Sequence, residues 1–486
     1  MLTFTENYKE ILSPKMVTIL LLIAGLCGIV FFVLSQNWVA LVSVCTTPLF
    51  ILLFVYSTKY PIISFTLYAA TAYFFGALDR YTDIEGISIV LDVTLFYTLI
   101  TLILNYISHT NSKIHFRNIA NTLTISYLFW MVFIILQLIN QGTDLQKITT
   151  SSRSWFLGIP ILYILASLLL DSPKRLRNAL ITLGIFTIIA FGKLLWQKYR
   201  WFDTAETAWL LEGSWHTHLL STGIRYFSLF SDAGNFGAIM GMTTTVYSIL
   251  FTKTSSRKLR NFYLVIAIMG FLGMLMSGTR GSVMIPLGGL LLYCLICRNI
   301  KATIVTAVSG ITIFCFFSFT DIGESNAMIR RMRTAFRPTE DASFNVRLEN
   351  QEKIARYLEE HPMGAGIGGS ILTTIWEGDK YQDYTIPPDS FYVDIWTQTG
   401  SLGLGLYILI LSCITLRCCY IIMFRIHNPE LRNTFAALLC GVFGLFLNGY
   451  VGRGMGFQPG VSIIGIFLAF ILNGPYIEQQ ITKNKY

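Results

Sequence analysis

Stretches of about twenty apolar residues recur from one end of the chain to the other, and each is long enough to cross a hydrocarbon core of about 30 Å as a helix. The spans read as 16–34, 38–56, 61–78, 88–107, 121–140, 155–170, 178–196, 226–251, 262–277, 282–297, 302–320, 391–416, 433–450 and 459–473. Only 13% of side chains are charged, where a soluble domain carries about a quarter. The expected fold class is therefore all-α: a polytopic transmembrane helix bundle of about fourteen helices with one long, partly helical external loop.

The first span follows Glu6, Lys9, Glu10 and Lys15 and has no small-residue cleavage site after it, so it reads as a retained anchor. Leu26 stands where a lipobox would need a small residue. All nine cysteines fall in spans or at their ends, and no disulfide framework is implied. The Cys294 to Cys297 spacing suits redox or metal chemistry, but without a second pair it reads as apolar packing.

A net charge of +9 would suit a nucleic-acid binder, yet the cations follow the membrane instead. With the N-terminus inside, the cytoplasmic segments hold nineteen of the thirty-six Lys and Arg residues, and every such loop carries at least one. Both termini are then cytoplasmic. Three features lie outside: a loop at about 197–225, the short turn "SGTRG" at 277–281, and a long loop at 321–388 with eleven acids and eight bases. Within that loop 344–362 reads as a helix closed by Pro362, with Arg347, Gln351, Ile354 and Leu358 on one face. The glycines of "MGAGIGG" follow, giving a backbone able to pass close to a ligand.

Arg280 is the only charged side chain between Asn261 and Cys297. The topology sets it at the outer end of a helical hairpin, where a lone arginine is often a snorkelling helix-end residue. It has company, however. Arg225 is expected to open the helix of span 226–251, Arg347 faces inward from the external helix, and Arg453 lies in the last outer turn. Arg330, Arg331, Arg333 and Arg337 follow the span ending near Thr320. Guanidinium groups collected on one external face suggest an anion, and their forks fit phosphate oxygens bidentately.

The order "GIRYFSLFSDAGNFG" (223–237), "SGTRG" (277–281), "NVRLENQEKIARYLEEHPMGAGIGG" (345–369) and "PPDSFYVDIWTQTGSLGLGLYI" (387–408) resembles the O-antigen ligase and O-antigen polymerase superfamily of bacterial polysaccharide assembly. The resemblance covers roughly 220–475. It divides the chain into N-terminal helices (1–220), a catalytic membrane region (221–475, including the 321–388 loop) and a cytoplasmic tail (476–486). What it implies is a metal-independent, inverting glycosyltransferase of the bacterial inner membrane, multi-pass, with its site facing the periplasm and no cofactor. The donor would be a glycan on undecaprenyl pyrophosphate, and the acceptor a hydroxyl of lipid A core or of a growing glycan. Membrane lipids are the surroundings, and no nucleic acid is involved. Arg225, Arg280 and Arg347 match the arginines that grip the donor pyrophosphate. The catalytic set is then Asp389, Arg280 and Arg347, and the substrate-binding set Arg225, Asp232, Asn235, Gln351 and Arg453. Ligases of the family have His followed by Asn where this chain has Asp389 and Ser390, and often Glu where it has Gln398. Asp389 is therefore expected either to serve as the acceptor's base or simply to cap the following helix. Ligase and polymerase both stay open.

His216 and His218 have metal-compatible spacing, but without a third ligand they read as surface residues. His361 reads as structural or near the acceptor. Asp92 and Lys193, at helix ends or inside spans, either mark an ion pathway or are satisfied by neighbours. A lipid-linked oligosaccharide flippase is the competing class; internal repeats and midplane charges, its expected signs, are not seen.

Overall fold

The computed structural model describes residues 38–82, 84–108, 115–140, 143, 155, 158–220, 223–297, 300–323, 325, 327–333, 336, 342–377 and 380–483. The expected first span, 16–34, lies outside them. The helices run α1 (Trp38–Lys59), α2 (Ile62–Tyr73), α3 (Phe75–Thr82), α4 (Ile89–Ser108), α5 (Thr122–Leu136), α6 (Ile159–Leu169), α7 (Pro173–Arg200), α8 (Thr204–Trp209) and α9 (Trp215–His218). They continue with α10 (Ala233–Lys253), α11 (Arg257–Met276), α12 (Met284–Cys297), α13 (Ile300–Phe319), α14 (Ala327–Arg333) and α15 (Ala342–Glu360). The last four are α16 (Phe391–Tyr420), α17 (Pro429–Asn448), α18 (Gly460–Leu472) and α19 (Gly474–Lys483).

Helices occupy the expected spans because a segment in lipid must close its own backbone hydrogen bonds. Their ends are set locally. Asn121, Ser172, Asp203, Asp232, Ser390 and Asn428 each accept a backbone N–H of the following first turn. Among the described residues six helices are long and apolar enough to cross a membrane, or eight if two bent pairs each count as one span. The expected spans 155–170 and 282–297 are met by α6 and α12, which have 11 and 14 residues, short of a full crossing. Helix α5 shows the lipid-type pattern. Leu123, Tyr127, Trp130 and Ile134 are buried at helical spacing, while Leu128, Phe129 and Val132 on the other side are equally apolar and exposed.

The chain is not purely helical. Leu219–Leu220 pairs antiparallel with Gly223–Ile224, and Leu372–Glu377 pairs with Lys380–Thr385 in a second hairpin inside the expected external loop. The β-branched and aromatic residues of "TTIW" favour a strand, but without apolar–polar alternation the polar loop gave no period to read.

Two compact units are distinguished. One holds residues 1–64 and 97–112, where Ser64 and Thr101 hydroxyls meet at 2.8 Å and Asn105 Nδ2 donates to the Thr58 carbonyl at 2.8 Å. The other holds 65–96 and 113–486. Its core is α10, buried along nearly its whole length against α11, α12 and α17. Two of its buried polar side chains are satisfied within the helix: Thr244 and Thr245 hydroxyls donate to the Met240 and Gly241 carbonyls.

Two smaller clusters carry the polar ends of the helices. Phe202, Leu210, Phe227 and Ala233 pack with Trp209 and Tyr226 around the start of α10. Ile354 and Leu358 of α15 pack with Ala365, Ile371, Ile386 and Val393, so α15 docks on the beginning of α16 through the face the sequence pattern indicated.

Candidate active site

Helix α10 begins at Ala233, not at Arg225. The residues before it hold an irregular path with Ser228 at φ 53°, and Asp232 takes the cap position, its Oδ1 accepting the N–H of Gly234 (2.7 Å) and of Asn235 (2.9 Å). The apolar run "RYFSLF" holds no Gly or Pro to betray this break. Arg225 therefore sits on an extended segment with its side chain directed at the turn joining α11 to α12. Its Nη1 donates to the Thr217 carbonyl at 2.9 Å and its Nη2 to Thr279 Oγ1 at 3.0 Å, while its buried Nε meets no acceptor.

That turn, Ser277 to Gly281, is the hub of the site. Ser277 is wholly buried and its Oγ accepts the Thr279 N–H at 3.1 Å. Thr279 Oγ1 donates to the Ala233 carbonyl at 2.8 Å, and Asn448 Nδ2 donates to the Gly281 carbonyl at 2.9 Å. Gly278 turns at φ 59°, where a Cβ would stand 3.1 Å from Arg225 Cγ, and its carbonyl accepts Arg331 Nε at 2.6 Å. Arg280 is half-buried in the same turn. From α15, Arg347 Nη1 reaches the Val451 carbonyl at 2.8 Å, and a Cβ on Gly281 would lie 3.0 Å from Val451 Cβ.

Arg225, Arg280 and Arg347 are thus brought together. Burial pushes the Arg225 pKa down, Asp232 opposes that, and the positive charges of Arg280 and Arg347 push it further down. Two guanidinium groups thus act against the charge on Arg225 and the Asp232 carboxylate acts for it, a cluster of like charge that an anion would relieve.

Asp389 lies just off this group. Its Oδ2 accepts Asn350 Nδ2 at 2.9 Å, one helical turn from Arg347 along α15. It does not cap the following helix. Ser390 does, its Oγ accepting the Val393 N–H at 3.4 Å, because the neighbouring serine holds the extended backbone a cap requires. Arg453 Nε donates to the Pro388 carbonyl at 2.9 Å, next to Asp389 in the chain. Gln351 is half-buried on α15. Asp232 and Asn235 have structural partners: Asp232 caps α10, and Asn235 Nδ2 donates to the Gln458 carbonyl at 2.6 Å.

The glycine-rich loop approaches a helix rather than lying free. Gly400 breaks α16 at φ 68°, where a Cβ would come within 1.9 Å of the Pro362 carbonyl, and the Ala365 N–H donates to the Thr397 carbonyl at 2.8 Å. The Gly368 N–H also donates to Gln398 Oε1 at 3.0 Å. Thr279, Asn350 and Asn448 were missed from the sequence, since each acts through a contact between distant segments.

Residues 264–408 match the O-antigen ligase family model. Over these residues the chain is similar to the O-antigen ligase family. The matched ligase-family segment runs from α11 into α16 and takes in Arg280, Arg347 and Asp389, leaving Arg225 and Arg453 outside it. None of the curated proteins compared matches the chain. The membrane-length apolar helices make it a multi-pass membrane protein, and the matched segment is what it shares with the O-antigen ligase family.

No group of three or more His, Cys, Asp or Glu side chains suited to a metal is found among the described residues. His218 is not a surface residue: it is 3% exposed, Nε2 accepts the Ala233 N–H at 3.2 Å, and Nδ1 lies 2.9 Å from the Ser214 carbonyl. This pattern assigns the proton to Nδ1. Burial lowers its pKa to about 4 from 6.5, so the fold holds it neutral while the unfolded chain takes up a proton. Its contribution is present above about pH 6.5 and is lost as pH falls towards 4, by about 3 kcal/mol in all. Hydrogen exchange at Ala233 to Asn235, corrected for intrinsic rates, is expected to lose protection through this window, and His218→Gln to abolish the dependence. Flat protection from pH 7 to 4.5 would exclude a neutral buried imidazole. His216 is exposed and stacks on Trp215 at 3.7 Å. Lys193 is paired with Asp203 (2.7 Å) and Glu206 (3.1 Å), the plainer of its two readings.

Proposed function

We propose that this protein transfers a glycan from undecaprenyl pyrophosphate to a hydroxyl acceptor, lipid A core or another glycan, on the periplasmic side of the inner membrane. The carrying observation is the convergence of Arg225, Arg280 and Arg347 at the 277–281 turn with one opposing carboxylate. As the anomeric bond breaks, negative charge collects on the departing lipid pyrophosphate. Preorganised guanidinium groups stabilise that charge without a metal. The acceptor oxygen attacks the anomeric carbon from the face opposite the leaving pyrophosphate, which inverts the centre, and the acceptor's proton passes to Asp389. The hydrogen bond from Asn350, one turn along α15 from Arg347, supports this role for Asp389.

Deletion of the gene followed by analysis of lipid-linked and surface glycans tests the proposal. Full-length chains stranded on undecaprenyl pyrophosphate are the expected result and identify a ligase. Single repeat units on the lipid would reassign the protein to polymerisation. Unchanged lipid-linked and surface glycans would exclude both.

A further inference from the structure

Below the segment 451–458 the larger unit holds a cavity of about 690 Å³, within the range of small-molecule sites. Its chemistry differs from that of the arginine cluster. Three carboxylates, Asp79, Asp92 and Asp394, line it, with Arg453 the one guanidinium among its lining residues. Trp155, Phe391 and Phe457 add aromatic surface. Asp394 accepts Gln398 Nε2 at 3.0 Å, and the positive charge of Arg453 acts on it. Glycines 368 and 369 leave the wall between them without side chains.

We infer that this cavity is a saccharide site that admits neutral or amine-bearing sugar rings and rejects acidic ones, with Asp79, Asp92 and Trp155 of the N-terminal half forming its selective wall. Carboxylates accept charge-assisted hydrogen bonds from sugar hydroxyls, and the negative faces of aromatic rings suit the electropositive C–H face of a pyranose. The same carboxylates repel a uronate and repel pyrophosphate, which the arginine cluster attracts. The two regions adjoin. Ser231 lines the cavity, and its Oγ donates to Asp232 Oδ2 at 2.9 Å, the carboxylate whose charge acts on Arg225. One sugar–pyrophosphate linkage is thereby divided between an acidic, aromatic compartment and a cationic one. Asp79, Asp92 and Trp155 lie outside the 264–408 family match, so this selectivity belongs to this chain and not to the shared catalytic segment. The inference rests on the proposed glycan transfer for the identity of the linkage.

The test uses the full-length protein in lipid nanodiscs, with saturation-transfer NMR of three probes: triacetylchitotriose, the chitosan trisaccharide and trigalacturonate. The first two are expected to bind, and trigalacturonate about tenfold more weakly or not at all. Asp79→Asn with Asp92→Asn is expected to admit trigalacturonate and weaken the chitosan trimer. Ser370→Trp, placed at an exposed position of the wall, is expected to exclude all three by filling the space. UDP-N-acetylglucosamine separates the sources: response to the free trisaccharides alone assigns the site to the acceptor, and a response to the pyrophosphate-linked sugar that inorganic pyrophosphate weakens assigns it to the donor. Equal binding of trigalacturonate, indifference to the Asp79, Asp92 and Ser370 variants, or no saccharide binding would overturn the inference. Inorganic pyrophosphate, followed by phosphorus NMR, is expected to bind all these variants alike. If it binds Arg280→Ala as well as wild type, the arginine assignment fails while the saccharide result stands.

Discussion

Arg280→Ala is expected to lower glycan transfer by about 10²- to 10³-fold while the protein still inserts, the scale seen when one preorganised donor to a developing anion is removed. The turn that carries Arg280 is held by its neighbours: Thr279 to Ala233, Asn448 to Gly281 and Arg331 to Gly278. Removing the guanidinium leaves those three hydrogen bonds in place and eases the repulsion on Arg225. Arg280→Lys should recover only part of the rate, because an ammonium keeps the charge but not the planar fork that meets two phosphate oxygens at once. Arg347→Ala should cost a similar factor in transfer plus the anchor to the Val451 carbonyl. Normal transfer by both lysine variants, measured beside membrane levels of each protein, would remove pyrophosphate recognition from these residues.

Asp389→Asn is expected to reduce transfer by about 10²- to 10⁴-fold, the usual worth of general-base assistance, with unchanged membrane levels. The substitution is close to isosteric, and its carboxamide oxygen still accepts the Asn350 Nδ2 bond that orients the side chain. Capping does not confuse the result, since Ser390 and not Asp389 closes the first turn of α16. Near-normal transfer by this variant would show that departure of the pyrophosphate runs ahead of attack and that the acceptor needs no base here.

The face of α15 was legible in the sequence because Arg347, Ile354 and Leu358 recur at helical spacing, and Ile354 and Leu358 are buried in the structure. Arg280 drew notice as a lone charge within an apolar run. Their meeting with Arg225 was suggested by membrane sidedness and by the family resemblance, since no local pattern records a contact between segments so far apart. The start of α10 was misplaced for a physical reason: "RYFSLF" is apolar enough to continue a span, but its aromatic side chains pack sideways into the cluster around Phe227 and Trp209. Hydropathy alone did not give each helix its length: the runs at 155–170 and 282–297 are apolar enough to span, yet their helices have 11 and 14 residues. The acidic cavity was not legible as a site. Its carboxylates come from three separate helices, α3, α4 and α16, and although Asp92 drew notice by itself, nothing local joins it to Asp79 and Asp394.

The central claim is that the arginines at the 277–281 turn hold the donor pyrophosphate. Phosphorus NMR titration of the purified protein with undecaprenyl pyrophosphate, in the presence of a chelator, tests it most directly. Saturable binding by wild type, weakened about tenfold or more in Arg280→Ala and in Arg347→Ala, is the predicted result. Equal affinity in wild type and both alanine variants, or binding that vanishes with the chelator, would contradict it.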